Sequence, residues 1–396
     1  MSKPLRLLYA PGPGDVISTY HHWVKGEDDP SQVSITYSSQ FYEVCRTLDA
    51  QAYVIAPTQD KKFFRDSQFT LEGRPIPLRG ASGIFYHLGR LGYEFGLIAS
   101  ALRFRANVAV VGDARTHWFV LSLLPLLGIQ VIPSLHCVLW CKYTPLKGIE
   151  EWMLNVSRSL FAHHCTAILA ISDEIVEQVE QLTQGNHRPI LRFFPYYRHL
   201  QFAGIDEPDE KHSPFRVLFV GRIEMAKGVF DLLEVAKRFA AEGRQDIQFN
   251  LCGKGSALEP LRLAAQQAGV ESSFICHDHC DKQKMREMFG RSHVVIVPTK
   301  TSFREGFNKV VVEGILSGRP VVTSDVCPAL SDVQAGVVAV LPDDINGYGD
   351  ALLKLCDDRE FYEQKRGNCL ALQEQFYDPS RGWGATLKSI LVSETV

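Results

Sequence analysis

Long runs of one charge are missing from this 396-residue chain: 42 Lys and Arg stand against 45 Asp and Glu, for a net charge of −3. That excludes an electrostatic nucleic-acid binder, which needs a basic patch or stripe to neutralise phosphates. No uninterrupted apolar stretch reaches the roughly 20 residues that cross a bilayer. The N-terminus turns to Gly12-Pro13-Gly14 after a short apolar run, so it reads as a first strand and not as a signal peptide. Low-complexity tracts and short-period repeats are absent too, which removes solenoids and linker-like tails. No Gly-x-Ser-x-Gly elbow, Walker loop or His-Glu-x-x-His occurs, so hydrolase, P-loop and zincin chemistry have no support. The nicotinamide fingerprint Gly-x-Gly-x-x-Gly does not follow the first strand. The 10 cysteines are scattered, many inside apolar runs such as Leu251-Cys252 and Leu355-Cys356, as in buried thiols of a reducing, cytoplasmic protein. Cys276-His277-Asp278-His279-Cys280 concentrates zinc-ligand types, yet five adjacent side chains cannot all converge on one ion and no second half-site accompanies them. Its expected role is a loop beside a ligand pocket, with no metal.

What is present is an ordinary globular composition, 45% apolar and 22% charged, on a chain longer than one core usually supports. Short β-rich runs alternate with helical patterns throughout, the signature of parallel α/β layers. The spacing predicts strands over 5–9, 52–55, 108–111, 130–133 and 167–171, with helices over 116–127 and 150–161. Residues 204–211 lack apolar periodicity and read as a linker or surface loop. A second series follows, with strands over 216–220, 248–252, 294–298 and 321–323. The expected domains are 1–198 and 212–376, followed by a helical tail, 377–396. Residues 97–105 and 152–161 carry apolar and basic side chains that suit either a membrane surface or a core-facing helix.

Ligands of open α/β sheets gather beyond the carboxyl ends of strands, so the loops after strands matter most. Residues 304–322 are the most informative. Glu305 and Glu313 bracket the start of an apolar helix opened by Gly306-Phe307-Asn308, whose free N–H groups and positive dipole end suit an anionic or polar ligand. Eight positions of helix span about 12 Å, enough for two hydroxylated parts of one ligand, such as a sugar and a ribose joined by a diphosphate. An ordinary surface helix with a dipole-complementing Glu describes the same residues. After the strand 216–220, Gly221-Arg222-x4-Lys227-Gly228 puts two cations beside a helix N-terminus, where they can hold a diphosphate or simply be solvated. Gly253-Lys254-Gly255 follows the next strand. In the first half, Pro11 to Asp15 holds Gly14, at which backbone can approach a ligand or make a plain turn, and His136 ends the strand near 130–135 as either a ligand or a core histidine.

In combination these features are specific. Gly-Arg-x4-Lys-Gly, then Gly-x-Gly, then Glu-Gly-Phe-x5-Glu and Gly-x-Pro-Val-Val, in this order and spacing, resemble the donor domain of retaining glycosyltransferases of family 4 over residues 214–376. Over 1–198 the likeness rests on the Gly loop, the strand order and His136. The resemblance implies a GT-B fold: two Rossmann-like domains facing each other across a cleft, with a C-terminal helix returning to the first. It implies that a hexose moves with retention from a nucleoside-diphosphate sugar such as UDP- or GDP-hexose to a hydroxyl acceptor (a glycan, a lipid-linked sugar or a small metabolite), without a metal. Arg222 and Lys227 would bind the diphosphate, Glu305 the transferred sugar with Gly306 and Phe307, and Glu313 the ribose. His136 would lie near the transferred sugar, and Gly14, Gly221, Gly253, Gly255 and Asn308 would line the donor. A catalytically silent nucleotide-sugar-binding partner subunit and a nucleotide-sugar epimerase of related fold are the alternatives. Three departures stand out. Asn308 and Gly314 replace Gly or Pro and Ala, and both look tolerable, Gly314 mainly weakening its helix. Residues 326–332, Val-Cys-Pro-Ala-Leu-Ser-Asp, replace a glycine pair and a Glu, which bears on the donor sugar. The stretch 23–40 is long for a loop-to-helix connection and suits an acceptor pocket.

Overall fold

The computed structural model describes residues 4–30, 35–112, 116–208 and 214–393. The chain divides into two units. Unit 1 takes in residues 1–140, 145–195 and 379–396; unit 2 takes in 141–144 and 196–378.

Unit 1 is built on eight strands: β1 (Arg6–Ala10), β2 (Gln51–Thr58), β3 (Lys62–Arg65), β4 (Phe69–Pro75), β5 (Val108–Val111), β6 (Gln130–Leu135), β7 (Ile168–Ala170) and β8 (Ile190–Arg192). Their order is β3-β4-β2-β1-β5-β6-β7-β8, parallel except where β3 runs against β4. Leu7, Leu8, Val54, Ile55, Ala109, Val110 and Val131 are all fully buried, the near-continuous apolar pattern of strands covered on both faces. The terminal helix Trp383–Ser393 belongs to this unit and packs on the helix Tyr37–Thr47, with the Gly384 N–H donating to Gln40 Oε1 at 3.0 Å. Trp383 is fully buried, lies 5.5 Å from the Tyr9 ring, and donates its indole N–H to Ser134 Oγ at 2.8 Å.

Unit 2 has six parallel strands: β9 (Phe215–Val220), β10 (Ile247–Cys252), β11 (Phe274–His277), β12 (Val294–Val297), β13 (Val321–Ser324) and β14 (Val337–Val340), in the order β11-β10-β9-β12-β13-β14. The helix Val229–Ala241 buries Val229, Leu232, Leu233, Ala236 and Phe239, the face that its periodicity predicts.

Several expectations need correction. The helix expected over 116–127 is two short pieces, Trp118–Leu121 and Leu123–Leu126, because Pro125 lacks the N–H that would continue the ladder and its ring crowds the carbonyl one turn back. Cys276 and His277 end β11 instead of lying in a loop, and His277 Nε2 is 3.0 Å from Asn250 Oδ1. The supposed linker is partly anchored: Arg286 bonds the carbonyls of Gln201 and Ala203, and Arg319 that of Asp206, all within unit 2. Of the remaining linker residues, 209–211 lie outside the described residues, as do 31–34 of the long stretch 23–40. Residues 97–105 and 152–161 split between the two roles: Leu97, Ala101, Leu160 and Phe161 are buried, whereas Leu102, Trp152 and Val156 are exposed. Among the described residues no helix is long and apolar enough to cross a membrane.

Trp383 gives a direct test of what the terminal helix contributes. Trp383→Ala is expected to lower the stability of unit 1 by about 3–5 kcal/mol through the cavity, and Trp383→Phe by about 1 kcal/mol through the hydrogen bond to Ser134, both measured by urea unfolding.

Candidate active site

In unit 2 the strand order reverses between β9 and β12, the place where a sheet of this kind opens a crevice at its carboxyl edge. The loop leaving β9 carries Arg222 and Lys227, and the loop leaving β12 carries Glu305. Lys227 Nζ and Glu305 Oε2 are 2.6 Å apart, with side chains only 13% and 14% exposed. The Phe303 ring lies 3.8 Å below the same ammonium and 5.4 Å from the Arg222 guanidinium, so two cations share one aromatic face. Arg222 pairs with Glu224 at 2.9 Å and stays 59% exposed, open to an arriving anion. The two loops are joined further by the Lys300 N–H, which donates to the Ala226 carbonyl at 3.1 Å.

Glycines let these loops approach. A Cβ on Gly228 would meet the Pro298 carbonyl oxygen at 2.0 Å, and one on Gly253 would meet that of Gly221 at 1.8 Å. No side chain fits either place. Gly255 is pressed likewise on Ile223, so Gly-x-Gly here packs one loop of the crevice on another, with the Gly221 N–H bonded to the Cys252 carbonyl at 3.0 Å.

Glu305 sits in the loop ahead of the helix Lys309–Leu316, so its spacing to Glu313 is not a helical rise throughout. Asn308 occupies the left-handed region at φ 66° and makes no cap bond; its Nδ2 instead donates to Glu305 Oε2 at 3.1 Å. An Asn therefore serves where Gly would, and adds a hold on Glu305. Gly306 and Phe307 are buried, and the Phe307 carbonyl accepts from the Ala329 N–H at 3.0 Å. Gly314 is more than a weak point in its helix: a Cβ there would lie 2.7 Å from Val321 Cγ2, so β13 requires it. Cys327 Sγ is 3.7 Å from Asn308 Nδ2, and burial, reinforced by the Glu305 charge, pushes its thiol up to about 12. The 326–332 departure thus reaches Glu305 through Asn308.

Glu313 is 7% exposed and accepts from the Tyr197 hydroxyl at 3.2 Å. Lys309, at the first position of the helix, has its ammonium held below the ordinary lysine value by burial, which the charges of Glu313 and Glu305 only partly offset. A cation there also opposes the helix dipole. Tyr197, Phe303 and Lys309 were not read from the sequence. Lys309 left one signal, a lysine in the first turn of an apolar helix; Tyr197 left none, being 116 residues from its partner.

His136 and Gly14 belong to unit 1, apart from the other candidates. His136 is half-buried beside Tyr37 and Phe193, with ring centroids 4.3 and 5.3 Å away. Its Nε2 is 2.9 Å from Ser134 Oγ, the oxygen that accepts from Trp383. The Ser134 hydroxyl thus ties the His136 ring to the Trp383 indole. The core reading and the ligand reading of His136 meet halfway. Gly14 lies in the exposed turn after β1, with open space where a Cβ would stand.

Residues 204–368 match the family model described as glycosyl transferases group 1. Among curated relatives, D-inositol 3-phosphate glycosyltransferase of Xylanimonas cellulosilytica is 28% identical over 131 residues, 33% of this chain and 29% of that protein. Alpha-D-kanosaminyltransferase of Streptomyces kanamyceticus is 27% identical over 293 residues, 70% of this chain and 74% of that protein. Of solved structures, that of Anabaena Alr3699/HepE in complex with UDP aligns over 98% of this chain and 99% of its own, with a TM-score of 0.68 at 13% identity. The architecture is the GT-B fold.

The left-handed turn before the helix predicts a residue preference. Asn308→Gly is expected to stay within about 1 kcal/mol of the parent, whereas Asn308→Val, strained at positive φ, costs about 1–3 kcal/mol in denaturant unfolding.

Proposed function

We propose that this chain, whose residues 204–368 are a group 1 glycosyltransferase domain on a GT-B fold, moves a hexose with retention from a nucleoside-diphosphate sugar to a hydroxyl acceptor. The observation that carries the reading is the Lys227–Glu305 pair at the strand-order reversal of unit 2, with Arg222 beside it on Phe303. An anion entering beside the two cations competes with Glu305 for Lys227. As the diphosphate takes the ammonium, Glu305 turns to the hydroxyls of the sugar. Charge that develops on the leaving diphosphate is then met by Arg222 and Lys227, groups already in place. Glu313, with one oxygen held by Tyr197, keeps lone pairs for the ribose hydroxyls. Front-face attack, with the leaving phosphate taking the acceptor proton, needs no further carboxylate. Cations of the chain supply the charge compensation, so the proposal includes no metal.

UDP is the nucleotide in the HepE complex and makes UDP-hexose the first donor to try, with GDP-hexose second. The acceptor class is a glycan, a lipid-linked sugar or a small metabolite. The proposed setting is the cytoplasm, with a peripheral membrane contact supported by exposed Phe85, Leu88, Phe95 and Leu102 on the helix Gly83–Phe104.

Turnover of UDP-, ADP- and GDP-sugars by the wild type, Lys227→Ala and Glu305→Ala tests the assignment. A loss of about 10²–10³ in kcat/KM is expected for each variant, and unchanged turnover in both would sink it. Donor binding without transfer to any acceptor would instead favour the silent partner subunit. A second test uses Lys309. An anionic diphosphate favours the charged lysine, so binding is expected to take up protons in the alkaline range below 10.5, where the free ammonium is partly deprotonated. Calorimetry in buffers of different ionisation enthalpy should show the uptake, and Lys309→Met should abolish it.

A further inference from the structure

Unit 1 buries a second set of ionisable groups that the donor chemistry does not use. Its strand order reverses between β1 and β5, so the loops leaving these strands border the crevice where a ligand of this sheet belongs. His117 ends the loop leaving β5, at the cap position of Trp118–Leu121, and is 6% exposed. The helix Gly83–Phe104 follows β4, so it begins at the same carboxyl edge; it supplies His87, Arg90 and Glu94. Glu94, 1% exposed, accepts the His117 backbone N–H at 2.8 Å and lies 3.0 Å from His117 Nδ1. His117 Nε2 is 3.0 Å from His87 Nδ1. Arg90, 2% exposed, stands 3.8 Å from Glu94.

Proton positions follow from these contacts. The two oxygens of Glu94 face the His117 backbone N–H and Nδ1, and a carboxylate only accepts, so His117 carries its proton on Nδ1 and its Nε2 is bare. The bare nitrogen accepts from His87 Nδ1, which leaves a lone pair on His87 Nε2. Among the described residues no group bonds that atom, and His87 is half-buried. Burying Arg90, Glu94 and His117 carries a desolvation cost that an apolar cluster would avoid, and the outcome of the chain is one outward-facing acceptor. One turn before His87 on the same face stands Ile84, 69% exposed, and Leu88, 50% exposed, is the neighbour of Ile84 one turn on.

We propose that Glu94, His117 and His87 form a hydrogen-bond relay that binds a hydroxyl of the acceptor substrate at His87 Nε2, and that this acceptor is amphiphilic, its apolar part lying on Ile84 and Leu88. Glu94 and His117 act as positioning residues through His87. A glycoside with an alkyl or lipid aglycone has this chemistry. The inference rests on the glycosyltransferase reading for its substrate class, and on unit 1 alone for its geometry.

The test uses the full chain and octyl β-D-glucoside below its micellar concentration, with methyl β-D-glucoside for comparison. In ¹⁵N-histidine spectra at neutral pH, His117 and His87 should both show the Nδ1–H tautomer. The His87 Nε2 resonance should move on adding octyl glucoside, and at lower concentration than with the methyl glucoside. A proton found on His87 Nε2, or no movement with either glucoside, overturns the proposal. In transfer assays, His87→Ala should raise the acceptor KM about tenfold, the worth of one good hydrogen bond, and leave the donor KM alone. Both constants rising together would mark a structural role and also overturn it. Glu94→Gln, if it folds, should shift the His117 tautomer and raise the acceptor KM likewise. Absence of nucleoside-diphosphate binding in the wild type would count against the donor reading only, because the histidine spectra judge the relay independently.

Discussion

One ion pair organises the candidate donor site. Lys227 and Glu305 come from loops that leave different strands, and their 2.6 Å contact, mostly withdrawn from water, sets how those loops lie on one another. Phe303 is sandwiched against the ammonium because the lysine stem is drawn toward Glu305, and Asn308 enters the left-handed region with its amide on the same carboxylate. The helix that presents Glu313 starts from that turn. The pair is withdrawn from water together with its neighbours, so the desolvation of both charges is met within unit 2 by Lys227, Glu305 and Asn308.

Much of this was legible in the chain, for physical reasons that can be named. Parallel strands buried on both faces read as apolar runs, so β5, β9, β10 and β12 fall close to their expected places, and the helix Val229–Ala241 follows from its periodicity. Arg222, Lys227, Glu305 and Glu313 were legible because loop chemistry next to a strand end is local in sequence. What escaped was whatever the topology alone brings together. Tyr197 reaches Glu313 across 116 positions, and His87 reaches His117 across 30. The edge strand β3 has only four residues, Lys62–Arg65, with its two Phe adjacent, so it carries no apolar alternation to detect. The glycines at 228, 253 and 255 were read as parts of the ligand loops, and their packing role stayed hidden because the carbonyls they admit belong to other strands' loops.

The two units apply one architectural rule to opposite chemical ends. Each puts its ionisable side chains at the carboxyl edge, where its strand order reverses, because there several loop and helix starts converge while the strands below stay apolar. Unit 2 fills that place with cations and carboxylates, the set that meets a diphosphate and its attached hydroxyls. Unit 1 fills it with imidazoles oriented by a hydroxyl or by one buried carboxylate: His136 by Ser134, His117 by Glu94.

The departures from the resembled pattern also have a location. Arg222, Lys227 and Glu313 keep their residue types, whereas Asn308 replaces Gly or Pro and residues 326–332 replace a glycine pair and a Glu; Asn308 bonds Glu305, and Cys327 lies against Asn308. Gly314 is settled by the close approach of Val321 and says nothing about ligands. A change confined to the neighbours of Glu305 alters how far that carboxylate can turn and how much room lies beside it, while Arg222 and Lys227 keep their charge. Asn308 restrains Glu305 through a hydrogen bond that glycine cannot make, and Cys327 puts a neutral, buried thiol against Asn308.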